Sequence, residues 1–180
     1  MDVIKTDIEG LLIIQPRIFK DIRGYFFESY NVNSFSSVGI DEVFIQDNES
    51  SSSKGVLRGL HFQKPPFAQG KLVRVVHGKV LDVAVDLRKA SPTYGKHYSI
   101  ELSTQNKTMF WIPPGFAHGF VALEDDTTFT YKCTQVYHQA SEGCLLWNDP
   151  ELNIDWTILN PIVSEKDNEG SLFLDFQSPF

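Results

Sequence analysis

Two basic side chains stand three residues apart in an otherwise apolar run, Arg58 and His61 in Gly55-Val56-Leu57-Arg58-Gly59-Leu60-His61-Phe62-Gln63. Lys71 opens a second such run, and Arg74 interrupts the valines of Leu72-Val73-Arg74-Val75-Val76. An ion buried without a partner costs several kcal/mol or is driven to neutrality, so cations inside apolar strands need an opposite charge or a ligand. In this acidic chain they predict a pocket for an anion. A histidine can abstract a proton near neutral pH and a tyrosine can return one. Tyr131 and Tyr137, in Thr130-Tyr131-Lys132-Cys133-Thr134-Gln135-Val136-Tyr137, have the same parity and share one side of a regular strand. His118 follows the sharp turn of Trp111-Ile112-Pro113-Pro114-Gly115-Phe116-Ala117-His118-Gly119-Phe120, at the kind of rim where ligands enter β-barrels.

Each of these residues also has an ordinary explanation. A lone histidine is commonly a satisfied core or surface residue, and His77, His97 and His138, beside turn signals or lysine, read as surface. Tyr131 could be a packed aromatic with a solvated hydroxyl, and Lys71 could snorkel from a strand start. Arg23 and Glu28 could form an exposed ion pair of small worth. Parity adds a constraint, because residues three apart face opposite sides of a regular strand. Either Gly59 marks a bulge, or Arg58 serves another part of the ligand or another subunit.

The elements that must position these groups are strands. Segments rich in Val, Ile, Phe and Tyr, separated by turn residues, read as strands over 11–14, 25–30, 44–46, 56–62, 72–76, 80–87, 97–102, 109–112, 120–123 and 127–134. His77-Gly78 between two of them gives the strongest hairpin signal, since Gly78 can adopt the positive φ of a tight turn. In the second arm Val80, Asp82, Ala84 and Asp86 share one face, and Leu81, Val83, Val85 and Leu87 form the face expected in the core. A short helix is expected over 31–38, capped by Asn31 or Asn33 and ended by Gly39. Residues 50–54 read as a polar loop and 164–180 as an irregular tail. The pattern predicts an all-β double-sheet jelly roll with short peripheral helices, a single domain over residues 1–180.

With 180 residues and 42% hydrophobic content, the chain can bury a core without disulfides or metal staples. A formal charge of −7 argues against nucleic acid as a partner. Cys133 and Cys144 form no Cys-x-x-Cys element, so neither a disulfide framework nor a zinc knuckle is indicated, and both read as buried thiols. The N-terminus lacks the basic-then-apolar pattern of a secretion signal, and no run approaches the roughly 18 apolar residues of a membrane span. A soluble cytoplasmic protein is expected.

Taken in order, the motifs closely resemble the dTDP-4-dehydrorhamnose 3,5-epimerase family. They are Asp21-x-Arg23-Gly24-x-Phe26-x-Glu28, Gln46-Asp47-Asn48-x-Ser50, the Arg58–His61 segment, Gln69-Gly70-Lys71-Leu72-Val73, Asp82 to Arg88, Ser91-Pro92-Thr93-x-Gly95, Ile112-Pro113-x-Gly115 to Phe120, Trp147-x-Asp149-Pro150 and Ser164-x-Lys166-Asp167. The resemblance implies a cupin-like jelly roll, a homodimer, and neither metal nor organic cofactor. It implies His61 as general base in a dyad with Asp167, Tyr131 as general acid, and Lys71 at the enolate oxygen. For a dTDP-linked 4-keto-6-deoxy sugar it implies contacts from Arg23, Glu28, Gln46, Asp47, Asn48, Arg58, His118, Glu142 and Lys166, with Tyr137 stacking on thymine and Arg23 and Glu28 reaching a neighbouring subunit's site. The implied reaction inverts C3 and C5 of dTDP-4-dehydro-6-deoxy-D-glucose, giving dTDP-4-dehydro-L-rhamnose. Relatives that invert one carbon only carry much the same constellation.

Two other readings compete. A metal-dependent cupin could use His61, His118 and a carboxylate, yet the closely spaced His-x-His of such proteins is absent, since Phe62-Gln63 follows His61. A sugar-binding jelly roll without catalysis would explain the aromatic and cationic residues, but gives no reason for His61, Asp167, Lys71 and Tyr131 to occur together.

Overall fold

The computed structural model describes residues 1–180 as two facing sheets. The first contains, in spatial order, β1 (Asp2–Lys5), β2 (Leu12–Gln15), β10 (Met109–Ile112), β7 (Lys71–His77), β12 (Thr127–Cys133) and β5 (Gln46–Ser52). The second contains β13 (Glu142–Cys144), β6 (Val56–Gln63), β11 (Phe116–Ala122), β8 (Lys79–Asp86) and β9 (His97–Ser103), all antiparallel, with β14 (Ile162–Val163) added in parallel to β6. A separate hairpin pairs β3 (Phe19–Asp21) with β4 (Gly24–Phe26). This is the cupin-like jelly roll expected from the sequence.

Alternation places apolar residues on both faces of the central strands, and three apolar layers result. Between the sheets, Val73, Val75, Phe110 and Phe129 of the first meet Val80, Ala84, Phe116 and Phe120 of the second. On the outer face of the second sheet, Leu57, Leu60, Val83, Val85 and Leu87 are covered by Leu145, Trp156, Phe173 and Phe176 from the C-terminal segments. On the outer face of the first, Leu72, Met109 and Trp111 are covered by Phe35 and Ile40. The Leu81–Leu87 face is therefore core, but the opposite face is buried too, with Asp82 and Asp86 fully enclosed.

Several expectations are corrected. The strands flanking His77-Gly78 are not a hairpin: β7 pairs with β10 and β12, whereas β8 pairs with β11 and β9. Gly78, at φ +77°, carries the chain from one sheet to the other. Residues 46–52, of which the sequence places 46 at a strand end and 50–52 in a loop, form β5, in which Gln46, Asn48 and Ser50 turn inward and Asp47, Glu49 and Ser51 outward. Only Tyr25 and Phe26 of the 25–30 segment lie in a strand, and β11 begins four residues ahead of the expected start. The expected helix is α1 (Val32–Ser36), where the Asn31 side chain accepts hydrogen bonds from the amides of Asn33 and Ser34. The tail contains α2 (Glu165–Asn168) and closes the outer layer through Phe173, Phe176 and Phe180. His97 and His138 are half-buried rather than surface residues, the latter stacked on Phe67 at 3.8 Å between ring centroids. Both cysteines are free, Cys133 buried and Cys144 partly so. No helix is long and apolar enough to cross a membrane.

Candidate active site

Where the apolar filling between the sheets gives way to polar side chains, a cavity of about 760 Å³ opens. Arg58, His61 and Gln63 line it from the second sheet, and Gln46, Asn48, Lys71 and Tyr131 from the first. A molecule held there has one sheet on either side.

The parity problem at Arg58 and His61 is resolved by a bulge. His61 lies opposite His118 and Arg58 opposite Phe120, so three steps along β6 match two along β11. One extra residue returns both cations to the inner face, while Leu57 and Leu60 both pack on the outer one. Gly59 makes this possible: its φ is +139°, and a Cβ there would stand 2.5 Å from the Gly119 Cα.

His61 Nε2 lies 2.7 Å from Asp167 Oδ1. Asp167 is delivered by α2, whose Ser164 side chain accepts the Asp167 amide, and Asp167 Oδ2 accepts the Gly59 N–H at 3.2 Å. These bonds outweigh burial and hold the Asp167 carboxyl below its usual range. A carboxylate only accepts, so neutral His61 carries its proton on Nε2 and the lone pair on Nδ1. That nitrogen has no protein partner and is the one available as a base.

The opposite wall carries the complementary groups. Burial pushes the Tyr131 phenol above its ordinary range, so it keeps its proton through neutral pH. Burial also lowers the Lys71 ammonium; Lys71 is 8% exposed and has no carboxylate within 4 Å, leaving its charge for a ligand. Arg58 is held by neutral acceptors of β5, the Ser52 hydroxyl and the Ser51 carbonyl, each at 3.2 Å, so its charge is likewise uncommitted.

A second histidine–carboxylate pair sits deeper. His118 Nε2 lies 2.9 Å from Asp82 Oδ2, Asp82 Oδ1 has no partner, and burial raises the Asp82 carboxyl against the pull of His118 and Lys71. Asp82 was not singled out from the sequence, although a carboxylate among Val80, Val83 and Val85 was the available signal. Gln63 was missed as well: its side-chain amide bonds the backbone of Phe67, Val136 and His138, pinning two rim loops.

At the rim, the Tyr137 hydroxyl donates to Glu142 at 3.0 Å and Lys166 pairs with the same carboxylate at 2.6 Å. Three of the expected contacts lie elsewhere. Asp47 points outward and pairs with Lys132 at 2.9 Å. Arg23 and Glu28 do not pair with each other: Arg23 binds Asp21 on the exposed β3–β4 hairpin, and Glu28 accepts from Asn31 and Ser34. One more titratable group stands beside the dyad. The Cys144 thiol, opposite His61 in register, is pushed up to about 12, first by burial and then by the Asp167 charge.

Comparison with known proteins is consistent along the chain. Residues 5–175 match the family model described as dTDP-4-dehydrorhamnose 3,5-epimerase. The enzyme of that name from Shigella flexneri is 52% identical over 176 residues, 97% of each chain. The crystal structure of dTDP-4-dehydrorhamnose 3,5-epimerase from Elizabethkingia anophelis superposes with a TM-score of 0.93 at 50% identity, covering 97% of each chain. That of dTDP-6-deoxy-D-glucose-3,5-epimerase from Legionella pneumophila, in complex with dTDP-4-keto-L-rhamnose, gives 0.94 at 47% identity, covering 98% of this chain and 94% of that one.

Proposed function

This chain belongs to the dTDP-4-dehydrorhamnose 3,5-epimerase family, and from that premise we propose that it inverts C3 and C5 of dTDP-4-dehydro-6-deoxy-D-glucose, giving dTDP-4-dehydro-L-rhamnose. The observation that carries the mechanism is the pairing of the His61–Asp167 dyad on one sheet with protonated Tyr131 on the facing sheet, across one cavity. The 4-keto group acidifies the hydrogens on C3 and C5. His61 Nδ1 removes such a hydrogen from one side of the sugar ring, and the electron pair moves into the carbonyl to form an enolate. Lys71 meets the developing oxygen charge, which strengthens in a low-dielectric setting. Tyr131 then delivers a proton to the carbon from the opposite side, so the centre inverts. Asp167 holds the reactive tautomer and stabilises the imidazolium. No metal or organic cofactor enters these steps.

Arg58 supplies the planar fork suited to a pyrophosphate, and Tyr137 an exposed ring for stacking on thymine, with Glu142 and Lys166 fixing its position. Gln46, Asn48 and His118 bound the remaining space. We assign Arg23 and Glu28 to contacts completed in a homodimer, with the β3–β4 hairpin of one subunit reaching the site of its partner. The reading is tested by incubating the 4-keto-6-deoxy sugar nucleotide with the protein in deuterated water. Deuterium is expected at both C3 and C5 with inversion at each, and none with His61→Ala. Exchange and inversion at one carbon alone would assign a mono-epimerase instead.

A further inference from the structure

The dyad has a third neighbour that the proposed reaction does not use. One ring nitrogen of His61, a carboxylate oxygen of Asp167 and Cys144 Sγ all lie within 4.8 Å of one another. The topology makes this close approach a fixed feature. Cys144 is paired with His61 across the β13–β6 ladder, so their side chains leave the sheet on the same face, and Asp167 is brought against them by α2. Cys144 does not line the cavity, and its thiol makes only a long 3.4 Å contact with the Leu145 carbonyl.

Imidazole, thiolate and carboxylate are together the donor set of a borderline-soft divalent cation. Metal–ligand distances near 2.0–2.3 Å put tetrahedral ligand atoms about 3–4 Å apart. The separations here bracket that value, from 2.7 Å between His61 and Asp167 up to the 4.8 Å limit of the cluster. Small side-chain rotations therefore suffice to close three ligands on one ion, leaving a fourth position for water.

We propose that His61, Cys144 and Asp167 form an inhibitory site for a zinc-class divalent cation, which seats between Asp167 and His61 Nε2 and switches off the base. The balance is simple. The Cys144 thiol loses its proton to solvent, and the ion replaces the proton on His61 Nε2. Neutral imidazole then carries its hydrogen on Nδ1, the nitrogen that must otherwise hold the lone pair. The base becomes a donor without any change of fold. The inhibitory consequence rests on the function proposed above, whereas the binding site does not.

Cadmium(II) is the probe, because a thiolate–cadmium bond gives an ultraviolet charge-transfer band. Titration of the metal-free protein is expected to raise that band to one equivalent, and ¹⁵N-histidine NMR to show the His61 proton moving from Nε2 to Nδ1. Cys144→Ser should abolish both signals, while Cys133→Ser keeps them. In parallel, cadmium should slow epimerisation of the wild-type protein at least tenfold, reversibly by chelation, and leave Cys144→Ser running at its metal-free rate. Absence of the band at saturating cadmium overturns the proposal, as does inhibition that survives in Cys144→Ser. A Cys144-dependent band and tautomer switch in a protein without epimerase activity would uphold the site and refute the functional reading instead.

Discussion

In the proposed reaction His61 can act as a base only because of what Asp167 does to its tautomer, and the two are separated by 106 positions in the chain. That distance explains what was legible. Arg58, His61 and Lys71 stand out as cations in apolar runs, but nothing in local spacing ties Asp167 to them, and it emerged only through the family resemblance. Asp82 stayed unread because its parity with Val80 and Ala84 makes it look like one more residue of a half-polar face. The dyad has a sharp consequence. Asn at 167 would offer an N–H to Nε2 and so force the proton onto Nδ1. Asp167→Asn is therefore expected to lower kcat by about 10²–10⁴-fold with little change in KM. Steady-state kinetics at pH 7.5 checks this, and a change confined to KM would remove Asp167 from the proposed chemistry.

Strand existence could be read from the order of residues far better than strand pairing. The Leu72–Leu87 segment has hairpin chemistry at Gly78, yet a one-glycine turn serves equally to pass between facing sheets when both edges of each strand are already paired. β5 was hidden for a different reason: its inward face lines a polar cavity, so it lacks the apolar alternation that announces a strand. The bulge at Gly59, by contrast, is one of the alternatives that the opposite parity of Arg58 and His61 offers from the sequence, and the register of β6 against β11 selects it. Gly59→Ala should test its importance, because the new Cβ meets Gly119 Cα at 2.5 Å and the His118 carbonyl at 3.0 Å. A loss of about 2–3 kcal/mol is expected from overpacking and positive φ. Urea denaturation measures it, and an unchanged midpoint would mean that β6 relaxes without the bulge. The end of β8 carries another such constraint. Asp86, fully buried, accepts hydrogen bonds from Arg88, Ser91 and Thr93, which lower its carboxyl from 3.8 to about 2 despite burial. A depressed folded-state pKa stabilises the fold above the unfolded value, and this contribution fades as pH falls from about 4 to 2. It amounts to roughly 2 kcal/mol. Asp86→Asn should accordingly be less stable at pH 6 and lose less on acidification than the wild type, as read from denaturation midpoints across that range.

At the scale of the whole molecule, the β3–β4 hairpin is the part least accounted for by one chain. Phe19, Ile22, Tyr25 and Phe26 are all more than half exposed, on a two-stranded arm paired with neither sheet, and two-stranded hairpins are marginal alone in water. Arg23 sits on the same arm and does not line the cavity whose ligand it is proposed to touch. A homodimer in which the arm crosses to the partner accounts for both facts, and it makes each site depend on two subunits. Complementation tests this directly. Arg23→Ala leaves His61 intact, and His61→Ala leaves the arm intact, so each variant alone should be nearly inactive. Mixed, unfolded and refolded together in equal amounts, they form hybrid dimers in which one of the two sites combines an intact arm with an intact base. Random pairing makes about half of the dimers hybrid, so activity should recover to about a quarter of the wild-type value. Recovery requires subunit exchange, and it should therefore be absent when the two variants are mixed without unfolding. If refolded mixtures show only the sum of the separate activities, Arg23 acts within its own chain or not at all, and the arm needs another explanation.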